Sequence, residues 1–256
     1  MIEFKNVKKE FSGKPVLRGM TFSIEKGETI SLVGTSGAGK TVTIKHMVRL
    51  LDPTSGRICI DGEDIQDLPS EELGRVRKKF GFLFQGSALL QWMSVFDNIA
   101  LPLRETQKLP EDEIQEKVKS VLEKVDMTEA AKKLPADISG GMQKRAGLAR
   151  AVVTEPDILL YDEPTSGLDP VTSRTIDKLI HDLQEDLGVT SVVVTHDMIS
   201  ALTISDRIAM LHQGEVSEIS TPQDFLRSEN KVVSNFLDSQ CISRNFFDEF
   251  SDRKLT

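Results

Sequence analysis

Thr29-Ile-Ser-Leu-Val33 leads without a break into Gly34-Thr-Ser-Gly-Ala-Gly-Lys40-Thr41. The first five residues are a short, mostly apolar run with the character of a buried strand. The next eight match G-x-x-x-x-G-K-[ST], and a helical pattern follows from about Lys40 to Leu51. Glycines let the backbone curl so that its N–H groups point inward, and the start of the helix adds its positive dipole end. Lys40 supplies a point charge for β- and γ-phosphates, and the Thr41 hydroxyl is a candidate Mg²⁺ ligand. Gly34, Thr35, Ser36, Gly37, Ala38, Gly39, Lys40 and Thr41 are therefore read together as a phosphate cradle. A Gly-rich loop with an incidental lysine would not carry a strand on one side and a helix on the other.

Outward from this loop the chain alternates strand and helix. Ile2, Phe4 and Val7 alternate with polar residues, and Thr21–Ile24 reads as another short strand, giving an antiparallel opening. Asp52-Pro-Thr-Ser-Gly56 breaks the helix. Strands are expected at Arg57–Ile60, Phe80–Phe84, Ile158–Tyr161, Ser191–Val194 and Ile208–Leu211. Ser173–Leu187 reads as a helix. In the middle, Ile114, Val118, Val121, Leu122 and Val125 keep helical spacing, and a second helix starts after Ser139 and runs to about Thr154. The expected fold is α/β: a P-loop NTPase core with an antiparallel β subdomain and an inserted α-helical subdomain at about 86–155. Residues 1–240 form the main domain. Residues 241–256 form a C-terminal tail that turns polar with scattered Phe and has no assigned structure.

Bulk properties narrow the setting. The chain has 256 residues, enough for a large core. Its net charge of −8 makes nucleic acid a poor default partner. Cys59 and Cys241 fit no metal spacing and point to a reducing, cytoplasmic setting. The opening residues read as a strand and not as a signal peptide. No apolar run reaches the ~20 residues that cross a bilayer. Any membrane role is expected to come through a partner.

Three further stretches carry chemistry. Ile158-Leu-Leu-Tyr161 ends in Asp162-Glu163. Asp162 at the strand tip is placed to hold the Mg²⁺ hydration shell, and Glu163 can face an attacking water as general base. Ser139-Gly140-Gly141 opens a helix with a natural N-cap and two bare glycines, a second anion site or simply a capped helix. One nucleotide needs one cradle, so a second phosphate surface suggests a site completed by another subunit. His196 follows Val192-Val-Val-Thr195; a histidine at a strand end is most often structural.

The order of these elements resembles the ABC ATPases over about residues 1–240. It runs from the P-loop through Gln85, Ile138-Ser-Gly-Gly-Met142, Asp162-Glu163 and Ser166-Gly-Leu-Asp169 to His196. The resemblance implies ATP and Mg²⁺ as cofactors and ATP hydrolysis as the activity. It assigns Gln85 to sensing Mg²⁺ and nucleotide and to the link with a membrane partner. His196 is assigned to the γ-phosphate, Asp169 to the interface of a head-to-tail dimer, and Phe11 to stacking on adenine. The family signature usually reads LSGGQ. Here Ile138 replaces Leu and Met142 replaces Gln, which removes an amide from the signature helix.

A finer resemblance is to the Mla/Mce-type lipid-transport ATPases. It rests on Phe84-Gln-Gly-Ser-Ala-Leu89, Ser94-Val-Phe-Asp-Asn-Ile-Ala100, Leu101-Pro-Leu-Arg-Glu105 and the shared SGGM. It implies a cassette on the inner face of the cytoplasmic membrane. Its partners would be integral-membrane permease subunits, a second copy of itself and an Mce-type lipid-binding protein. The apolar stretch around Trp92 and Met93 reads as core or as a groove for a partner helix. An importer motor for amino acids or another polar solute is the alternative. The chain lacks the guanine-reading N-K-x-D and the second cassette of translation-type members. It also lacks the heptads or Cys pairs of DNA-repair members.

Overall fold

The structure, a computed structural model, describes residues 1–107 and 109–247. Residues 248–256 of the expected tail lie outside the described residues. Two sheets organise the rest. The first is antiparallel, in the order β2-β1-β4-β5: β1 Ile2–Phe11, β2 Lys14–Ile24, β4 Ser55–Ile60 and β5 Glu63–Asp64. The second, in the order β10-β9-β3-β8-β7-β6, has five parallel strands: β3 Thr29–Val33, β6 Phe80–Leu83, β7 Ile158–Asp162, β8 Thr190–Val194 and β9 Arg207–His212. β10, Glu215–Ser220, closes one edge antiparallel to β9. The expected α/β class, with its antiparallel opening, is the class observed.

Every residue of β3, β7 and β8 is buried, as a parallel sheet covered on both faces requires. Their registers align: Leu32 pairs with Val194 and with Ala209, and Asp162 pairs with Val194. The carboxyl ends of β3, β7 and β8 therefore lie along one rim, where open α/β sheets place their ligands.

Helix α1, Lys40–Met47, follows β3 and ends four residues before the expected Leu51. Arg49 is left-handed, with φ 49°. Its guanidinium donates to the carbonyls of Ile65 and Leu68 and to Asp52, which pulls the chain off the helix axis. α2, Ser70–Arg77, precedes β6. Next come α3 Val95–Thr106, α4 Glu111–Lys124 and α5 Gly140–Val152. Ile99, Leu103, Ile114, Val118, Leu122, Ala146 and Ala149 form their separate apolar cluster. α6 Pro170–Leu187 and α7 Met198–Ile204 return the chain to the parallel sheet. α8 Pro222–Leu226 and α9 Lys231–Ser239 follow β10. Phe236, Leu237 and Phe246 pack with Met198, Leu202 and Met210, so part of the aromatic content of the C-terminal segment is core.

Candidate functional site

The loop after β3 is shaped by contacts that only glycine tolerates. A Cβ on Gly34 would lie 2.3 Å from the Leu211 carbonyl oxygen, and one on Gly39 would lie 2.7 Å from Leu17 Cδ2. Both residues have positive φ, 149° and 104°. Gly39 is the N-cap of α1, so the helix begins where the loop closes. Ser36 to Thr41 line a cavity of about 280 Å³ together with Val16, Gln85 and Glu163. Gly34 and Thr35 form its outer backbone: Lys40 Nζ donates to their carbonyls at 2.8 and 3.3 Å. Burial pushes the Lys40 ammonium below its ordinary pKa, and the charges of Glu163 and Asp162 oppose that shift. An anion entering the cavity meets a cation that is already partly desolvated.

The Thr41 hydroxyl donates to Asp162 Oδ1 at 3.0 Å, joining the helix start to the tip of β7. Burial raises the Asp162 carboxyl, and the Thr41 bond works against that rise. Among the described residues no cluster of three or more His, Cys, Asp or Glu could cage a metal. One hydroxyl and one carboxylate suit Mg²⁺, a hard cation that keeps several waters and takes phosphate oxygens as its other ligands.

Glu163 comes next and has left-handed backbone, φ 52°. Its N–H donates to the Val194 carbonyl at 2.8 Å, tying it to the adjacent strand. Its Oε2 lies 2.7 Å from His196 Nδ1. The Glu163 side chain is 12% exposed and the His196 ring 61% exposed, so the pair stands at the mouth of the site. A carboxylate held by an imidazole can accept a proton from a water placed between it and the cradle.

The structure brings together Gly34–Thr41, Gln85, Asp162, Glu163 and His196. It leaves the other candidates apart from the cavity. Ser139 Oγ caps α5 by accepting from Met142 N at 3.3 Å, and Ser139 and Gly140 are exposed. Gly141 is pressed against α6, where a Cβ would lie 2.6 Å from Thr172 Cγ2. Asp169 caps α6, accepting from Val171 N and Thr172 N at 3.0 Å and from the Thr172 hydroxyl at 2.5 Å. These bonds hold its carboxyl below the usual range. The two capped turns meet on a second surface that does not line the cavity. Met142 is half-buried against the helical cluster, so the position carries packing in place of an amide contact. Phe11 ends β1, 42% exposed, with the Lys9 ammonium 5.0 Å from its ring centroid; the cavity wall nearest in sequence is Val16. Three site contributors escaped sequence reasoning: Val16 and Val42, which line the cavity, and Lys144. Lys144 donates to the backbone carbonyls of Gln85 and, at 3.0 Å, of Glu163. A lysine buried on a helix face has no sequence signature.

The chain is similar to known ATP-binding cassettes in sequence and fold. The ABC transporter family matches residues 17–166. The chain is 42% identical over 241 residues to a probable ribonucleotide transport ATP-binding protein, Mkl, of Mycobacterium leprae, covering 94% of this chain and 70% of that one. It is 39% identical over 237 residues to the intermembrane phospholipid transport system ATP-binding protein MlaF of Haemophilus influenzae, covering 93% and 90%. The dimeric post-hydrolysis structure of the ATP-binding cassette MJ0796, bound to ADP and Pi, superposes with a TM-score of 0.80 at 33% identity, over 87% of this chain and 99% of that one. A strand-end carboxylate pair, a glycine cradle and a capped signature helix thus sit on a cassette fold, and the chain belongs to the ABC transporter family as an ATP-binding, ATP-hydrolysing subunit.

Proposed function

We propose that this subunit drives a lipid transporter, moving phospholipid or a related lipid between bacterial membranes. The observation that carries the reading is the likeness to MlaF, which spans 90% of that protein. The SGGM signature and the FQGSAL and SVFDNIALPLRE stretches support it. The likeness to Mkl, whose name specifies ribonucleotide transport, favours a second reading: a motor for a polar solute.

In either case the chemistry is the same. Lys40 and the bare N–H groups of the cradle bind the β- and γ-phosphates. Thr41 and Asp162 would hold Mg²⁺, with Gln85 near its outer shell; the ion would neutralise charge that develops on the phosphate oxygens. Glu163 orients and deprotonates the attacking water, and His196 holds the carboxylate in place and faces the γ-phosphate. Phe11 stacks on the adenine. Ser139, Gly140 and Gly141, with Asp169 beside them, serve the nucleotide of a second copy arranged head to tail. Two ATP molecules are then gripped from both sides, and hydrolysis releases the grip.

No helix among the described residues is long and apolar enough to cross a membrane. The cassette works at the inner face of the cytoplasmic membrane on integral-membrane permease subunits, with an Mce-type lipid-binding protein in the same system. Trp92, 77% exposed beside the Gln85 loop, meets the permease. The test is to delete the gene and measure envelope lipid composition and detergent resistance. Altered lipid balance supports the lipid reading. An unchanged lipid profile with lost uptake of a polar solute refutes it and leaves the ATPase untouched.

A further inference from the structure

Helix α5, which carries the Ser139 cap, grips the Gln85 loop with three residues spaced three apart. Lys144 Nζ donates to the Gln85 carbonyl. Gly147 lies so close that a Cβ would stand 2.8 Å from Leu83 Cδ1 and 3.2 Å from Ser87 Cβ. Arg150 donates to the Ser87 and Ala88 carbonyls at 2.6 and 2.7 Å. Residues at i, i+3 and i+6 share one helix face, so loop and helix move as one body. Ser87 and Ala88 are both left-handed, φ 59° and 47°, a conformation that non-glycine residues keep only when their surroundings impose it.

Lys144 makes one bond more than this grip needs. The same ammonium reaches the Glu163 carbonyl. Among the described residues it is the one α5 side chain bonded to the end of β7. Glu163 also has left-handed backbone, and both sides of its peptide frame are held: the N–H by the Val194 carbonyl, the C=O by Lys144 and by Ser166 N at 3.2 Å. Lys144 is 5% exposed, so its two bonds are charge-assisted and shielded from water.

We propose that Lys144 is a positioning residue that transmits the setting of the signature helix and the Gln85 loop to the Glu163 carboxylate. When α5 sits as observed, the ammonium holds the Glu163 carbonyl and the carboxylate stays on His196. When α5 shifts, that bond is lost and Glu163 keeps its left-handed conformation only through the weaker, uncharged bonds to Val194 and Ser166. The carboxylate then swings away from the water it must deprotonate. The inference rests on Glu163 being the base.

The test compares ATP affinity and turnover in the full chain. Lys144→Met keeps the length of the side chain and removes the ammonium. Turnover is expected to fall ~10-fold or more, as loss of a charge-assisted bond to the base's backbone implies, with ATP affinity within about twofold of the native protein. In a Glu163→Gln background the same change should slow turnover no further, because a residue acting through Glu163 has nothing left to position. Native turnover in a folded Lys144→Met protein, or an equal loss in both backgrounds, overturns the proposal. If Lys144→Met does not fold, Lys144→Gln is read by the same two criteria; its amide can donate to one carbonyl without charge. Undiminished turnover in Glu163→Gln itself would instead remove Glu163 as base.

Discussion

Replacing Glu163 with Gln isolates one function of that side chain. The amide matches the carboxylate in shape and can still bond to His196 Nδ1, which lies 2.7 Å away. The backbone bond from Glu163 N to the Val194 carbonyl is unaffected. What disappears is the ability to take a proton. A positioned general base is worth ~10²–10⁴-fold in rate, or about 3–5 kcal/mol of barrier. Among the described residues the carboxylate next to Glu163, Asp162, is committed to the Thr41 hydroxyl and is not free to replace it. ATP binding should survive or tighten. The cradle from Ser36 to Thr41 is intact, and one negative charge near the γ-phosphate is gone. Phosphate release at saturating ATP gives turnover, and nucleotide titration gives affinity. Turnover within about threefold of the native protein would refute the assignment.

Other outcomes follow from the same geometry. Lys40→Ala should leave the fold intact and weaken ATP binding by ~10–100-fold, the worth of a charged hydrogen-bond donor; native affinity and turnover would exclude Lys40 from the phosphate site. Trp92→Glu should keep the unfolding temperature of the native protein, since the ring is exposed, yet fail to copurify with the membrane partner; a normal complex would reduce the residue to unused surface. Asp177 titrates in the fold at about 6, raised from 3.8 by burial despite the opposing Arg174 charge. The folded protein therefore binds more protons than the unfolded chain between those values, and this group's contribution to stability declines as pH rises through that window. Asp177→Asn removes the slope, so its stability relative to the native protein should rise by up to about 2 kcal/mol from pH 4 to 6 in denaturant titrations. Parallel curves would show that Asp177 is not so buried in solution.

The parts legible in the sequence are those where burial and punctuation coincide. β3 and β7 are buried on both faces, so each reads as an apolar run, and each stops at residues whose chemistry is explicit. β10 is an edge strand with no fully buried residue, and Glu215-Val-Ser-Glu-Ile-Ser220 has little hydrophobic pattern to read. α3 contains Pro102, which argues against a helix locally; its buried face, Val95, Ile99 and Leu103, overrides that preference. α2 and α7, at eight and seven residues, are too short for their periodicity to stand out. In the site, residues that act through side chains at a motif were readable. Lys144 acts through two backbone carbonyls far from it in sequence, and only the fold brings them together.

The exposed indole of Trp92 stands on a loop that is not free to wander. Asn98 is fully buried at the start of α3; its Oδ1 accepts from Leu90 N at 2.7 Å. Its amide nitrogen lies 3.0–3.1 Å from the carbonyls of Leu90, Met93 and Ser94. One side chain thus staples residues 90–94 to the helix. A partner docking there, as proposed, would meet a backbone already ordered, so little ordering entropy would be charged against the contact. Loosening that staple with Asn98→Ala would penalise association through preorganisation, with the indole itself unchanged.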